Sequence, residues 1–210
     1  MPKIWIKERK REYYHRRAKE ENYRSRAAYK LFQSVKKYGF IKFGDVIVDL
    51  GAAPGGWLQA SRLFVGSEGF VLGVDLKYIQ PIEQSNVRII TGDITDPQIT
   101  NRIKEILPRP PDVVVSDVSP KISGIWELDH ARQIDLARRS LQIAASLLRH
   151  EGNFFVKVFQ GNMLNDFLKE VNWYFRFVKL VKPKASRAKS AEIYVLGRGL
   201  KQRSVATKHQ

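Results

Sequence analysis

Beyond Gly44 the chain alternates short apolar runs with helix-length stretches, and this alternation constrains the fold more than any other property of the sequence. The runs DVIVDL (45–50), FVLGVDL (70–76), NVRIITGD (86–93), DVVVSD (112–117) and NFFVKVF (153–159) are largely β-branched or aromatic. Such near-continuous apolar runs are the pattern of strands covered on both faces. Stretches 57–63, 99–106, 130–148 and 163–171 lie between them and are long enough for helices. Regular alternation predicts βαβ units, and hence an open, mostly parallel sheet with helices on both faces. The end departs from the pattern. RFVKLVKP (176–183) and AEIYVLGRG (191–199) read as strands, but only 184–190 separate them. No crossover helix fits there, so an antiparallel hairpin is expected. The predicted class is α/β, a mostly parallel seven-stranded sheet ending in an antiparallel hairpin. Upstream, Ala27, Ala28, Leu31, Phe32 and Val35 recur at helical spacing, predicting a helix over 22–38 that Gly39 ends.

The length of 210 residues and a hydrophobic fraction of 43% suit one domain, 1–210, with a real core. No repeat or Pro/Gly/Ser linker divides it. The net charge of +16 is unevenly placed: residues 1–42 carry +10, residues 43–175 carry −3, and residues 176–210 carry +9. A basic N-terminal segment, 1–42, and a basic tail, 200–210, thus flank a slightly acidic body. In the first of these, aromatics are interleaved with bases (Tyr13, Tyr14, His15, Arg16, Arg17; Tyr23, Arg24, Ser25, Arg26). That mixture can neutralise phosphates and stack on bases, so a polyanion partner is expected; a solvated basic face or tail and a basic amphipathic membrane helix are the alternatives. The chain has no cysteine, which excludes disulfides, Cys-ligated metal and thiolate nucleophiles. No metal is expected. The opening MPKIWIKERKREYYHRR lacks an apolar signal region, and no run approaches about 20 apolar residues. A soluble, cytoplasmic protein, monomeric and without membrane contact, is expected.

In an open α/β sheet, ligands bind outside the carboxyl ends of the strands. Asp49 ends the first strand and opens DLGAAPGGW, with Gly51, Gly55 and Gly56 ahead of a helix. Glycines permit close backbone approach, and a helix N-terminus presents free N–H groups. Ala53 and Pro54 in the middle of the loop break both the dinucleotide and the P-loop patterns. Asp75 ends the second strand, where a carboxylate can accept ribose hydroxyls, and Asp93 ends the third in GDI. Each aspartate alone reads equally as a turn or cap. Three acids on consecutive strand ends would repel a polyphosphate and suit a neutral or cationic nucleoside.

These residues resemble the class I S-adenosylmethionine-dependent methyltransferases, and within them the FtsJ/RrmJ group of RNA ribose 2′-O-methyltransferases. The resemblance runs from about Tyr23 to Leu196. It implies a Rossmann-like fold and a pocket for S-adenosylmethionine formed by Asp49, Gly51, Gly55, Gly56, Trp57, Asp75, Asp93, Ile94 and Asp117. It also implies a Lys-Asp-Lys-Glu catalytic tetrad: Lys30 in SRAAYKL, Asp117 in SDVSP, Lys157 in FFVKVF and Glu192 in SAEIYVL. Independently of the resemblance, a lysine between Val156 and Val158 in a buried strand is costly without a purpose. Val118-Ser119 departs from the Met-Ala of many members of the family.

The reaction so implied is removal of the 2′-hydroxyl proton as the oxygen accepts a methyl. A lysine serves as base only with a neutral amine. Lys157 is expected in that role and Lys30 in orienting the hydroxyl or, as a second cation, in favouring the neutral amine of the base, with Asp117 and Glu192 holding the ammonium groups and the ribose. Pyrimidine C5 methylation lacks its thiolate, and SDVSPK is not the Asn/Asp-Pro-Pro-aromatic loop of amine methylation. The expected substrate is a uridine of large-subunit ribosomal RNA. The transfer-RNA anticodon loop is one alternative, and a non-catalytic RNA-binding ribosome-assembly factor is an alternative of another class.

Overall fold

A computed structural model describes residues 13–187 and 190–202. The first twelve residues of the basic N-terminal segment and residues 203–210 of the basic tail lie outside the described residues. A first helix, α1, occupies 13–20. There follow α2 (Ala28–Tyr38), β1 (Val46–Leu50), α3 (Gly56–Val65), β2 (Phe70–Asp75), β3 (Val87–Thr91), α4 (Ile99–Ile106), β4 (Val113–Ser116), α5 (Trp126–Leu147), β5 (Asn153–Phe159), α6 (Leu164–Tyr174), β6 (Phe175–Val181) and β7 (Glu192–Leu200). One seven-stranded sheet runs β3-β2-β1-β4-β5-β7-β6. β1 to β5 are parallel, and β7 is antiparallel to both β5 and β6.

The predicted alternation is the observed one, with instructive boundary differences. The helix expected over 22–38 begins only at Ala28, because residues 22–27 are turns that carry the chain over from α1. Lys30 therefore lies on the second helix, not the first. The helix expected from 130 begins at Trp126. Its acidic first turn, Glu127 and Asp129, reads as loop in sequence but suits the positive end of the helix dipole.

Alternation along each strand divides the core between the two faces. Val48, Leu50, Phe154, Val156 and Val158 face one cluster, closed by Ile134, Leu141 and Ala144 of α5 and Phe167 and Val171 of α6. Ile47, Val115, Phe155 and Tyr194 face the other, closed by Leu31 of α2 and Trp57 and Leu58 of α3. Each fully buried Leu, Ile or Phe contributes roughly 1.5–3 kcal/mol of burial. The β5–β7 pairing then decides the site. Its register sets Lys157 opposite Tyr194 and Phe159 opposite Glu192, and cross-strand partners share a face. Lys157, Tyr194 and Glu192 thus stand on the face that α2 covers, at the carboxyl end of the parallel strands. Among the described residues no helix is long and apolar enough to cross a membrane.

Candidate active site

Two lysines are almost wholly buried on this face: Lys30 is 7% exposed and Lys157 4%. A buried ammonium costs several kcal/mol unless paired and fully hydrogen-bonded. Both meet that condition. Lys30 Nζ lies 2.8 Å from Glu192 Oε2 and 2.7 Å from Oε1, and Ser186 donates its hydroxyl to Oε1 at 2.9 Å. Lys157 Nζ donates to the Asp117 carbonyl at 2.7 Å and to Ser119 Oγ at 2.5 Å, and stands 3.2 Å from Asp117 Oδ1. Tyr194 donates to the same Oδ1 at 2.9 Å. The structure thus sets Lys30–Glu192 and Lys157–Asp117 side by side as two ion pairs, with Lys30 Nζ 5.8 Å from the centre of the Tyr194 ring, although the four residues are scattered from position 30 to position 192.

Asp117 feels opposed influences. Burial pushes its pKa up, but the ammonium groups of Lys157 and Lys30, with hydrogen bonds from Tyr194 and Lys157, outweigh that and hold it below the ordinary carboxylate value. Burial, then the charges of Asp117 and Glu192, push the Tyr194 hydroxyl well above its ordinary value, so it stays a donor. The tyrosine ring is fixed in turn by stacking on Phe155 (4.8 Å, 10°) and by Trp57 at 5.8 Å.

Beside the network, a cavity of about 430 Å³ opens over the ends of β1, β2, β3 and β4, within the range of small-molecule sites. Of the expected residues, Gly51, Asp75, Asp93, Ile94 and Asp117 line it, together with Ala53, Lys77, Ser119 and Lys121. Gly51 has φ +78°, and a Cβ there would fall 2.8 Å from Val118 Cα, so a side chain at that position is excluded on both counts. Asp75 Oδ2 accepts the Ala53 N–H at 2.9 Å and Oδ1 the Lys77 N–H at 2.8 Å, while Asp93 accepts the Thr95 N–H at 2.8 Å. The turn reading and the ligand reading of these acids therefore coexist: backbone donors fix each carboxylate, and fixed in this way it borders the cavity.

Asp49, Gly55, Gly56 and Trp57 do not line the cavity. Asp49 is wholly buried beneath it, and neither oxygen has a hydrogen-bond partner among the described residues. Burial, reinforced by Asp117 and Asp75, raises its pKa well above the ordinary value. Trp57 is core: its indole N–H donates to the Ala27 carbonyl at 2.8 Å, and its ring stacks on Phe155. Gly55 and Gly56 make room for the N-terminal segment, since a Cβ would meet Arg24 Nη1 at 2.9 Å and Ser25 Oγ at 2.3 Å respectively.

Other contributors are absent from the expected site, Arg24 being expected only as one base of the aromatic-rich N-terminal segment. Arg24 donates to the carbonyls of Gln80 and Pro81 and reaches that of Pro54, clamping two loops beside the cavity. Gln133 donates to the carbonyls of Val118 and Lys157, tying the cavity wall to the strand of the buried lysine. Neither has a local sequence signal. Tyr194 has one, because it follows Glu192 at the period of two that puts strand residues on one face.

A parallel sheet closed by an antiparallel β7 between β5 and β6, with an acid-lined cavity at its carboxyl edge, defines the Rossmann-like methyltransferase class. The profile of the FtsJ-like methyltransferases matches residues 23–200, and the chain belongs to that family. It is 48% identical over 199 residues to the ribosomal RNA large subunit methyltransferase E of Methanocaldococcus jannaschii, covering 93% of this chain and 81% of that one. With the protein of the same name from Methanothermobacter thermautotrophicus it shares 48% over 201 residues, 96% of this chain and 95% of the other. A Plasmodium falciparum protein whose crystal structure was solved as a ribosomal RNA methyltransferase superposes with a TM-score of 0.77 at 29% identity, over 86% of this chain and all of that one.

Proposed function

We propose that this methyltransferase uses S-adenosylmethionine to methylate a ribose 2′-hydroxyl, that of a uridine in large-subunit ribosomal RNA. The observation that carries the reading is the double membership of Asp117, which borders the cavity and also holds Lys157 and Tyr194. A methyl-donor site and a proton-accepting site therefore meet at one residue. The relatives named as ribosomal RNA methyltransferases support the substrate class.

The residues present fit the cofactor. Asp75 and Asp93, fixed by backbone donors, suit ribose hydroxyls and an adenine edge, and the acidic rim suits a cationic sulfonium and ammonium. When bound, S-adenosylmethionine supplies a methyl already activated for transfer. The chain's own work is alignment and proton removal. Lys157, in its neutral form, takes the 2′-hydroxyl proton onto Nζ. Lys30, held by Glu192, orients the hydroxyl oxygen. Asp117 holds the resulting Lys157 ammonium, and Tyr194 keeps Asp117 in place. In this reading the chain acts as a single cytoplasmic unit, a monomer, whose basic N-terminal segment grips the RNA.

Radiolabelled methyl transfer to ribosomal RNA and to transfer RNA, followed by mapping of the modified ribose, tests the proposal. Label confined to a ribose of large-subunit RNA is expected. Label in transfer RNA alone would move the substrate to the anticodon-loop alternative, and no label in either would leave a non-catalytic RNA-binding role.

A further inference from the structure

At the carboxyl end of β5, just past the tetrad, three rings lie nearly parallel. Trp126, the first residue of α5, stacks on His130 (centroids 5.7 Å apart, planes 17° apart) and on Phe159, the last residue of β5 (6.0 Å, 24°). The supports of this stack are locked. His130 is buried and accepts the Met163 N–H through Nε2 at 3.2 Å, and a Cβ on Gly161 would fall 2.6 Å from its ring. The Asp129 carboxylate takes the N–H groups of Ser123 and Gly124 and the Ser123 hydroxyl, fixing the loop that leads into Trp126. Yet Trp126 itself is 45% exposed, and Ile122 and Ile125 just before it are 60% and 59% exposed. Two fixed rings hold an indole in place while much of it stays in water, so core packing alone does not account for it.

Its position identifies the occupant. Phe159 stands opposite Glu192 and two residues beyond Lys157 on the same face, a step of roughly 7 Å along a strand. Along the carboxyl edge of the sheet the cavity comes first, over β2, β1 and β4. The tetrad follows over β4, β5 and β7, and the aromatic shelf lies at the tip of β5. A ribose held at the tetrad brings its own base, and those of its neighbours, within that reach. Among the exposed charges of 121–132, around the shelf, Lys121 on the preceding loop and Arg132 on α5 outnumber the single acid Glu127, so the balance suits a polyanion. A second exposed tryptophan lacks this context. Trp173 is 73% exposed, but α6 runs directly into Phe175, which pairs with Leu200 beyond the Arg198–Asn153 pair at the start of β5. It therefore sits at the opposite edge of the sheet.

We propose that Trp126 is a stacking platform for an unpaired base of the RNA, at or next to the nucleotide whose ribose is methylated. The proposal rests on the RNA substrate argued above. Base–aromatic stacking is sequence-tolerant and, unlike a phosphate contact, insensitive to salt.

The test uses fluorescence anisotropy of a labelled single-stranded oligouridylate with the full-length protein and its Trp126→Leu, Trp126→Phe and Trp173→Leu variants. Trp126→Leu is expected to weaken binding about tenfold, with no change in the slope of affinity against salt, and Trp126→Phe to restore most of it. S-adenosylmethionine affinity stays unchanged in all variants, which shows that the fold is intact. With ribosomal RNA as substrate, Trp126→Leu raises KM and leaves kcat in place. Wild-type affinity in Trp126→Leu, an equal loss in Trp173→Leu, or a loss that Phe does not restore would overturn the proposal. The first result would mark the shelf as a protein-docking surface. Failure of wild-type protein to methylate any RNA would instead overturn the substrate reading, and the binding comparison would still judge the shelf.

Discussion

The two halves of the site handle charge in opposite ways. In the acceptor half every buried charge has its partner: Lys30 with Glu192, Lys157 with Asp117, and Tyr194 donating to Asp117. In the cofactor half, Asp75 and Asp93 accept only backbone N–H groups, and Asp49 accepts nothing among the described residues. Low-dielectric charge is tolerable when compensated and costly when it is not. The acceptor half thus pairs its charges within the chain, whereas Asp75 and Asp93 border the cavity with backbone donors alone and Asp49 beneath it is held toward its neutral form. On the proposed reading, preorganisation lies where the proton is transferred and an electrostatic deficit where the methyl donor binds.

The sharpest break in that contrast is at the base. Lys157→Ala should lower kcat by about 10³-fold, the range of a positioned general base, while S-adenosylmethionine titrated calorimetrically binds as in wild type. Turnover close to wild type would remove Lys157 from its role. The next largest effect is on stability. Glu192→Gln leaves the Lys30 ammonium buried without its counter-charge and should cost about 3 kcal/mol in denaturant unfolding. The double replacement Lys30→Met with Glu192→Leu should recover most of that loss and remain inactive. In the cofactor half, Asp75→Ala should raise the cofactor KM about 30-fold, the worth of one hydrogen bond to a charged group, and cost about 1 kcal/mol in unfolding because the Ala53 and Lys77 N–H groups lose their acceptor.

How much of this was legible in the sequence follows the same division. Asp75 and Asp93 could be read because an acid at a strand end has a position that local periodicity gives away, whereas Asp117 rests on the family resemblance. The closing hairpin could be read from the spacing alone. That β7 inserts between β5 and β6 could not, since it depends on a long-range pairing, and this pairing sets Lys157 opposite Tyr194. The far end of the DLGAAPGGW loop carries a packing role that its sequence does not show. Gly55, Gly56 and Trp57 serve packing against residues 24–27, and a sequence does not say which neighbour a glycine makes room for. Arg24 shows the converse: three carbonyls from two loops meet its guanidinium, and none is near it in sequence.

The contrast also has a pH signature of two signs. Asp117 binds its proton more weakly folded than unfolded. It therefore stabilises the fold above the ordinary carboxylate pKa, and that contribution is lost as pH falls through its depressed value. Asp49 binds its proton more strongly folded. Its contribution is complete below the ordinary carboxylate pKa and is lost as pH rises through the raised value. Asp49→Asn should thus raise the melting temperature relative to wild type at neutral and alkaline pH, with the gap closing on acidification. Asp117→Asn should show its largest deficit at neutral pH and a smaller one in acid. Parallel curves for the two variants would erase the distinction between the halves.

The smallest effect tests the seam between them. An ammonium has three N–H groups, and Lys157 meets three acceptors: the Asp117 carbonyl, Asp117 Oδ1 and Ser119 Oγ. Two belong to the half-buried aspartate, whereas Ser119 is exposed and borders the cavity. The N–H that points to Ser119 is therefore the one nearest solvent, and the one through which the captured proton can leave. Ser119→Ala removes that acceptor, and water can replace it at an exposed position, so kcat should fall only about fivefold, near 1 kcal/mol. Ser119→Thr, which keeps the hydroxyl, should restore it. A loss in Ser119→Ala as large as that in Lys157→Ala would mean that the serine holds the lysine in place, so that the acceptor half is less self-sufficient than its buried pairs suggest.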